Sequence, residues 1–168
     1  WNLAMGSREL YDWLDAEPQL FHPGDLDYIH SVERVSKFSN VISINGGVQL
    51  DLMGQENAES TGTRQLSGVG GQMDFLEGAY RSKGGKGFIC INSSRVTKDG
   101  ERKSNILATI PGGSTISAPR TMIQYVATEY GIASLSGKTL RERAEAMVAI
   151  AHPDFREELM KYAQENFK

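Results

Sequence analysis

Ser67-Gly68-Val69-Gly70-Gly71-Gln72-Met73-Asp74-Phe75 sets three glycines in four positions directly before an amphipathic pattern through Leu76, Ala79 and Tyr80. Glycine is costly inside a helix or strand, so the cluster reads as loop backbone with unusual dihedrals or a close approach to something else. It feeds a helix expected at about Gln72 to Ser82, which Gly84-Gly85 terminates. A helix N-terminus presents unpaired N–H groups and a partial positive charge, and so suits a phosphate, a carboxylate or a transient oxyanion. The loop lacks the Gly-Lys-Ser/Thr ending of a nucleotide P-loop and the spacing of the dinucleotide fingerprint. An anion site and a tight turn needed only for packing both remain open at this point.

Working outward, Val41, Ile42, Ile44 and then Val48, Leu50, Leu52 alternate on either side of Asn45-Gly46-Gly47, the pattern of an antiparallel hairpin. Gln55 to Arg64 reads as a polar surface loop. Beyond the glycine loop and its helix, Gly87 to Asn92 reads as a buried strand and Asn105 to Ile110 as another, separated by the charged stretch Arg95 to Lys103. Met122 to Thr128 forms a further strand ending at Glu129-Tyr130-Gly131. The last forty residues read as helical, with Leu140, Ala144, Met147, Val148 and Ile150 on one face. Pro153 suits the first turn of a final helix, and His152 its cap. At the other end Ser7 starts a short helix through about Asp15, with Leu10, Trp13 and Leu14 sharing a face. Strands and helices interleave, so the class is α/β, an open mixed sheet flanked by helices. In such sheets ligands gather beyond the strand ends, where the glycine loop, Asn45 and Glu129 are expected to converge.

The length of 168 residues suits one domain over residues 1–168 with a real core. Eighteen Lys and Arg against 21 Asp and Glu leave a formal charge of -3, which argues against nucleic acid and acidic membrane surfaces as partners. A single cysteine, Cys90, excludes an internal disulfide and fits a cytoplasmic location; in its buried strand it reads as a small apolar residue. No apolar run approaches the roughly 20 residues of a membrane span. The opening Trp1-Asn2-Leu3-Ala4 reads as the tail of a strand, so a longer parent polypeptide is expected.

Few residues carry chemistry individually. Glu129, at a strand end before a glycine, fits a nucleophile, a base or a substrate clamp, and equally a structural cap or lysine partner. Asn45 is accounted for by turn geometry, with orientation of a substrate carboxylate or oxyanion as its functional rival. Lys98, with Arg95, Arg102 and Lys103, reads as either a solvated face or a clamp for a phosphorylated ligand. His22, His30 and His152 share no metal spacing, so no metal is expected.

Six motifs, in order, resemble the carboxy-terminal half of the acetyl-CoA hydrolase/transferase family, which contains 4-hydroxybutyrate, butyryl and acetate CoA-transferases. They are Met5 to Tyr11, Ser43-Ile44-Asn45, Asp51 to Gln55, Ser67 to Phe75, Thr128 to Ala133, and Ile150 to Arg156. The resemblance implies a family I CoA-transferase-like domain of the NagB/RpiA/CoA-transferase-like type. It also implies ping-pong transfer of CoA between an acyl-CoA and a free carboxylate through a glutamyl-CoA thioester, with hydrolysis of acetyl-CoA or non-catalytic CoA or phosphate binding as alternatives. On this reading the backbone N–H groups of Gly70 and Gly71 hold the oxyanion, and Asn45 and Glu129 lie at the acyl or carboxylate site. Ser67, Gly68, Val69, Gly70, Gly71, Gln72 and Lys98 face CoA, which is a substrate and not a resident cofactor. The nucleophilic glutamate belongs to a Gly-x-His-Thr-Glu segment that this chain lacks, so Glu129 is not that residue and the chain alone is expected to be inactive. Its expected partners are the amino-terminal half of the same enzyme and further copies in a homo-oligomer. Gly46 stands where the family commonly has serine, and Ser134 and Ser136 stand where aspartate and arginine are frequent, all beside the proposed acyl pocket.

Overall fold

The computed structural model describes residues 3–167. Helices α1 (Arg8–Ala16), α2 (Leu26–Ile29) and α3 (Val32–Val35) lead into strands β1 (Ile42–Gly46), β2 (Gln49–Asp51), β3 (Glu56–Asn57), β4 (Ser60–Thr61) and β5 (Arg64–Gln65). Helix α4 (Gln72–Arg81) follows the glycine cluster and precedes β6 (Lys86–Cys90), β7 (Ser94–Val96), β8 (Arg102–Ser104), β9 (Ile106–Leu107), β10 (Tyr125–Thr128) and β11 (Gly131–Ser134). Helices α5 (Leu140–Ala149) and α6 (Pro153–Asn166) close the chain. The expected class holds. The main sheet runs β1-β6-β10-β11, parallel except for the antiparallel β11, and a smaller sheet runs β3-β2-β9.

The expected hairpin at Asn45-Gly46-Gly47 does not form. Strand β1 pairs in parallel with β6, far along the chain, while β2 joins the other sheet between β3 and β9. None of the three residues has a positive φ. Gly47 is required for space: a Cβ there would lie 2.9 Å from Glu56 Oε1 and 3.1 Å from Ile89 Cγ2. An Asn-Gly pair is a local turn signal, and here long-range pairing overrides it.

The first half of the surface loop expected over Gln55 to Arg64 is in fact largely interior, while Thr61, Thr63 and Arg64 are exposed. Glu56, Asn57 and Ser60 are buried, and their polarity is largely absorbed locally. Asn57 Oδ1 accepts from the Ser60 N–H at 2.9 Å and the Glu59 N–H at 3.1 Å, and its Nδ2 donates to the Ser60 carbonyl at 2.8 Å. A second correction concerns the carboxy-terminal forty residues, which begin with strand β11 before turning helical. Leu3 and Ala4 lie outside any strand, and the rest of the strand tail expected there, Trp1 and Asn2, lies outside the described residues.

The core joins Leu50, Leu52, Leu76, Ile89, Val126, Leu135 and Met147, drawn from both sheets and from α4 and α5. Beneath it the Asp51-Leu52-Met53-Gly54-Gln55 motif makes a closed turn. Asp51 Oδ1 accepts from the backbone N–H groups of Met53 at 3.0 Å and Gln55 at 2.9 Å, and Gly54 takes a φ of +84°. Arg143 of α5 locks that turn by donating to the carbonyls of Met53 at 2.7 Å, Leu135 at 2.8 Å and Arg120 at 2.8 Å. Burial works against its charge, and the neighbouring Arg120 adds to this, so its pKa is lowered while three carbonyls depend on it. Arg143→Lys satisfies fewer of these acceptors and is expected to lose about 2 kcal/mol in urea unfolding.

Candidate functional site

Parallel strands β1, β6 and β10 end together, and the crossover helix α4 runs back against them, so its N-terminus lies at their carboxyl ends. Leu76 of α4 packs over Gly87 near the start of β6, whereas Gln72, one turn earlier, reaches Glu56 beside Gly47. At those strand ends opens a cleft of about 430 Å³ lined by Gly47, Cys90, Asn92, Thr128 and Glu129, among others. Of the three features expected to converge there, only Glu129 lines the cleft; Asn45 lies in β1, two residues before Gly47. The glycine loop does not line it but stands behind it, joined through Glu56.

Two of the three glycines of the loop have separate duties. Gly70 carries the positive φ, +60°, with open space where a Cβ would be. Gly71 caps α4, and a Cβ there would strike the His30 imidazole, whose ring packs edge-on to Phe75 at 4.9 Å and whose Nδ1 lies 3.5 Å from Asp74. Gly68 has neither a positive φ nor a close neighbour. Residues Ser67 to Gly70 are exposed, anchored at their start by the Ser67 N–H donating to the Glu59 carbonyl at 3.2 Å. Among the described residues the N–H groups of Gly70 and Gly71 have no acceptor, and no side chain caps the helix. Such donors are free for an anion.

Glu129 directly follows β10 and is exposed at the cleft. Its Oε2 accepts from the Ser93 backbone N–H at 2.9 Å and its Oε1 from the Ser93 hydroxyl at 2.6 Å. Burial is the largest single influence and pushes its pKa upward. The Ser93 bonds, with smaller help from His152, outweigh it and hold the carboxyl below its usual value. Glu129 is therefore an anion with both oxygens engaged, suited to orienting a substrate or a neighbouring group. It caps no helix, because the next element is strand β11, and among the described residues its side chain bonds Ser93 and no lysine.

Asn45 points along its own strand, its Nδ2 donating to Ser43 Oγ at 2.8 Å. Lys98 stands exposed in the turn between β7 and β8 and does not line the cleft. The rest of that basic stretch is partly spent within the hairpin. Arg95 bonds Asn105, Arg102 reaches Ser94 Oγ at 3.1 Å, and Lys103 pairs with Glu101 at 3.1 Å. Cys90, expected to be buried, is exposed, because it ends β6 on the uncovered face of the sheet and at the lip of the cleft. Among the described residues no group of three His, Cys, Asp or Glu is placed to hold a metal ion, and no helix is long and apolar enough to cross a membrane.

Over residues 6–163 the chain matches the acetyl-CoA hydrolase/transferase C-terminal domain. The chain belongs to that family. It is 45% identical over 161 residues to a butyryl-CoA:acetate CoA-transferase of Anaerostipes caccae, covering 96% of this chain and 36% of that protein. It is likewise 45% identical over 163 residues to a 4-hydroxybutyrate coenzyme A transferase of Clostridium kluyveri, covering 97% and 37%. Among solved structures, a 4-hydroxybutyrate CoA-transferase from Porphyromonas gingivalis superposes with a TM-score of 0.78 at 39% identity, covering 98% of this chain and 36% of that one. The chain thus spans little more than a third of the length of the relatives it matches.

Within this family domain, two residues, Glu56 and Ser93, gave no sign of themselves in the sequence. Glu56 is 0% exposed. Its Oε2 accepts from the Gln72 side chain at the start of α4, and its Oε1, with no hydrogen-bond partner among the described residues, faces Gly47 at the cleft. Burial pushes its pKa up to about 8, opposed by the Gln72 bond and assisted by Glu59. At neutral pH the group between the cleft and the glycine-loop helix is a carboxylic acid, not a carboxylate. Its place in the polar run Gln55-Glu56-Asn57 disguised it. Ser93, the partner of Glu129, is equally silent in Asn92-Ser93-Ser94.

Proposed function

We propose that this chain forms the carboxy-terminal part of an acyl-CoA:carboxylate CoA-transferase that moves CoA between a short acyl-CoA and an acid of the acetate, butyrate or 4-hydroxybutyrate type. A glutamate from the amino-terminal part attacks the thioester carbonyl, and the tetrahedral oxyanion collapses to expel CoA thiolate and leave an acyl-glutamyl anhydride. The thiolate attacks the glutamyl carbonyl, releasing the first acid and forming glutamyl-CoA. The incoming acid reverses these steps and leaves with CoA. A carboxylate is a weak nucleophile, so the oxyanion needs preorganised donors. The unpaired N–H groups of Gly70 and Gly71 at the start of α4 are the observation that carries this reading. Glu129 and Asn45 border the acyl or carboxylate site, while Ser67 to Gln72 and Lys98 face CoA. The enzyme acts in the cytoplasm as a homo-oligomer, with CoA as substrate and no permanently bound cofactor.

The reading separates from hydrolysis in one assay. In the longer protein, labelled acetate is expected to enter acyl-CoA faster than CoA is released into water. Equal CoA release with and without acetate would replace the transferase by a hydrolase.

A further inference from the structure

Among the described residues the four-stranded sheet is covered on one side only. In the register across it, Asn45, Ile89, Val126 and Ala133 share a face, and the last three are buried against the core. The opposite face carries two rows in the same register. Ile44, Phe88, Tyr125 and Ser134 form one, and Gly46, Cys90, Ala127 and Ile132 the other. There Ile42 is 51%, Ile44 68% and Ile132 64% exposed, while Phe88 and Tyr125 stack on each other with ring centroids 4.9 Å apart. Parallel strands occur almost only in sheets whose two faces are both covered, and a contiguous apolar patch of this kind marks a contact surface. The edge of β1 away from β6 has no strand partner among the described residues either.

We infer that this face seats a helical layer contributed by the amino-terminal part of the same polypeptide. One observation selects that occupant over a second copy, and two more show a surface fit for it. The family domain is a carboxy-terminal one, and the relatives carry nearly two-thirds of their length outside the match. The patch is almost uncharged, with Lys86 at its rim, as a permanent intramolecular interface requires. Finally, Gly46 and Cys90 carry the face to the lip of the cleft beside Glu129, so a layer packed here delivers its residues to the strand ends. This last step rests on the proposed transferase reading, in which the nucleophile comes from outside the chain. The packing itself does not.

The test uses the protein with its amino-terminal part attached and the present chain alone, each bearing Ile44→Cys or Ile132→Cys in a Cys90→Ser background. Alkylation is followed by peptide mapping. Both introduced thiols are expected to react at least tenfold more slowly in the longer protein than in the chain. Equal rates in the two would overturn the inference, as would protection in the chain alone that rises with its concentration, which would assign the face to a second copy. Ile44→Lys supplies an independent arm: it is expected to leave the melting midpoint of the chain unchanged and to lower that of the longer protein, and no difference between them would also count against the inference. Acetate exchange measured on the same samples separates the two readings, since protection without exchange keeps the interface and removes the transferase.

Discussion

Glu56→Gln is expected to remove most of the chain's loss of stability with rising pH. In the folded chain the Glu56 carboxyl holds its proton up to about pH 8, against an ordinary value of 4.5. Between these values the folded state carries a proton that the unfolded state has released, so stability falls as pH rises. The contribution is fully present below pH 4.5 and is lost as pH climbs through 8. Its total is roughly 4 to 5 kcal/mol, from 1.36 kcal/mol per pKa unit. Glutamine fills the same space, still offers Gln72 an acceptor oxygen, and has no proton to lose. Urea midpoints at pH 5 and pH 8 are therefore expected to converge for Glu56→Gln and to separate for the parent chain. Parallel pH profiles would show that Glu56 is ionised in the folded state.

The second large effect falls on rate. Gly70 has room for a methyl group but a φ of +60°, so Gly70→Ala is expected to cost only about 1 kcal/mol of stability. An alanine that relaxes to negative φ re-aims the N–H groups of Gly70 and Gly71, and the loss of one oxyanion donor lowers kcat on the order of 10²- to 10³-fold. Steady-state acetate exchange in the longer protein measures this. A variant that retains full kcat would reduce the loop to a packing turn. Gly71→Ala is a poorer probe, because its methyl strikes His30 and mixes folding with catalysis.

What the sequence revealed was local. Glycine density at 68–71 reported both the start of α4 and the positive φ at Gly70, because backbone freedom is a property of the residue itself. His152 as the cap of α6, its Nδ1 accepting from the Asp154 N–H at 3.3 Å, was legible for the same reason. Pairing was not. Asn45-Gly46 carries every mark of a tight turn, yet β1 belongs with β6, and Gly47 is glycine because Glu56 and Ile89 press against it. The polar stretch from Gln55 read as surface because Asn57 and Ser60 satisfy each other, and Gln72 reaches Glu56, inside the protein, which composition cannot express. Cys90 failed in the opposite direction: its apolar neighbours Ile89 and Ile91 face the core, while alternation turns Cys90 to the uncovered side.

The central claim is that this chain supplies the oxyanion-holding and CoA-facing half of an active site whose nucleophile lies elsewhere in the polypeptide. Trapping answers it directly. The longer protein is incubated with acyl-CoA, the adduct is captured with hydroxylamine, and the modified glutamate is located by mass spectrometry. The account predicts a single modified glutamate outside residues 1–168; modification of Glu129 or Glu56 would contradict it.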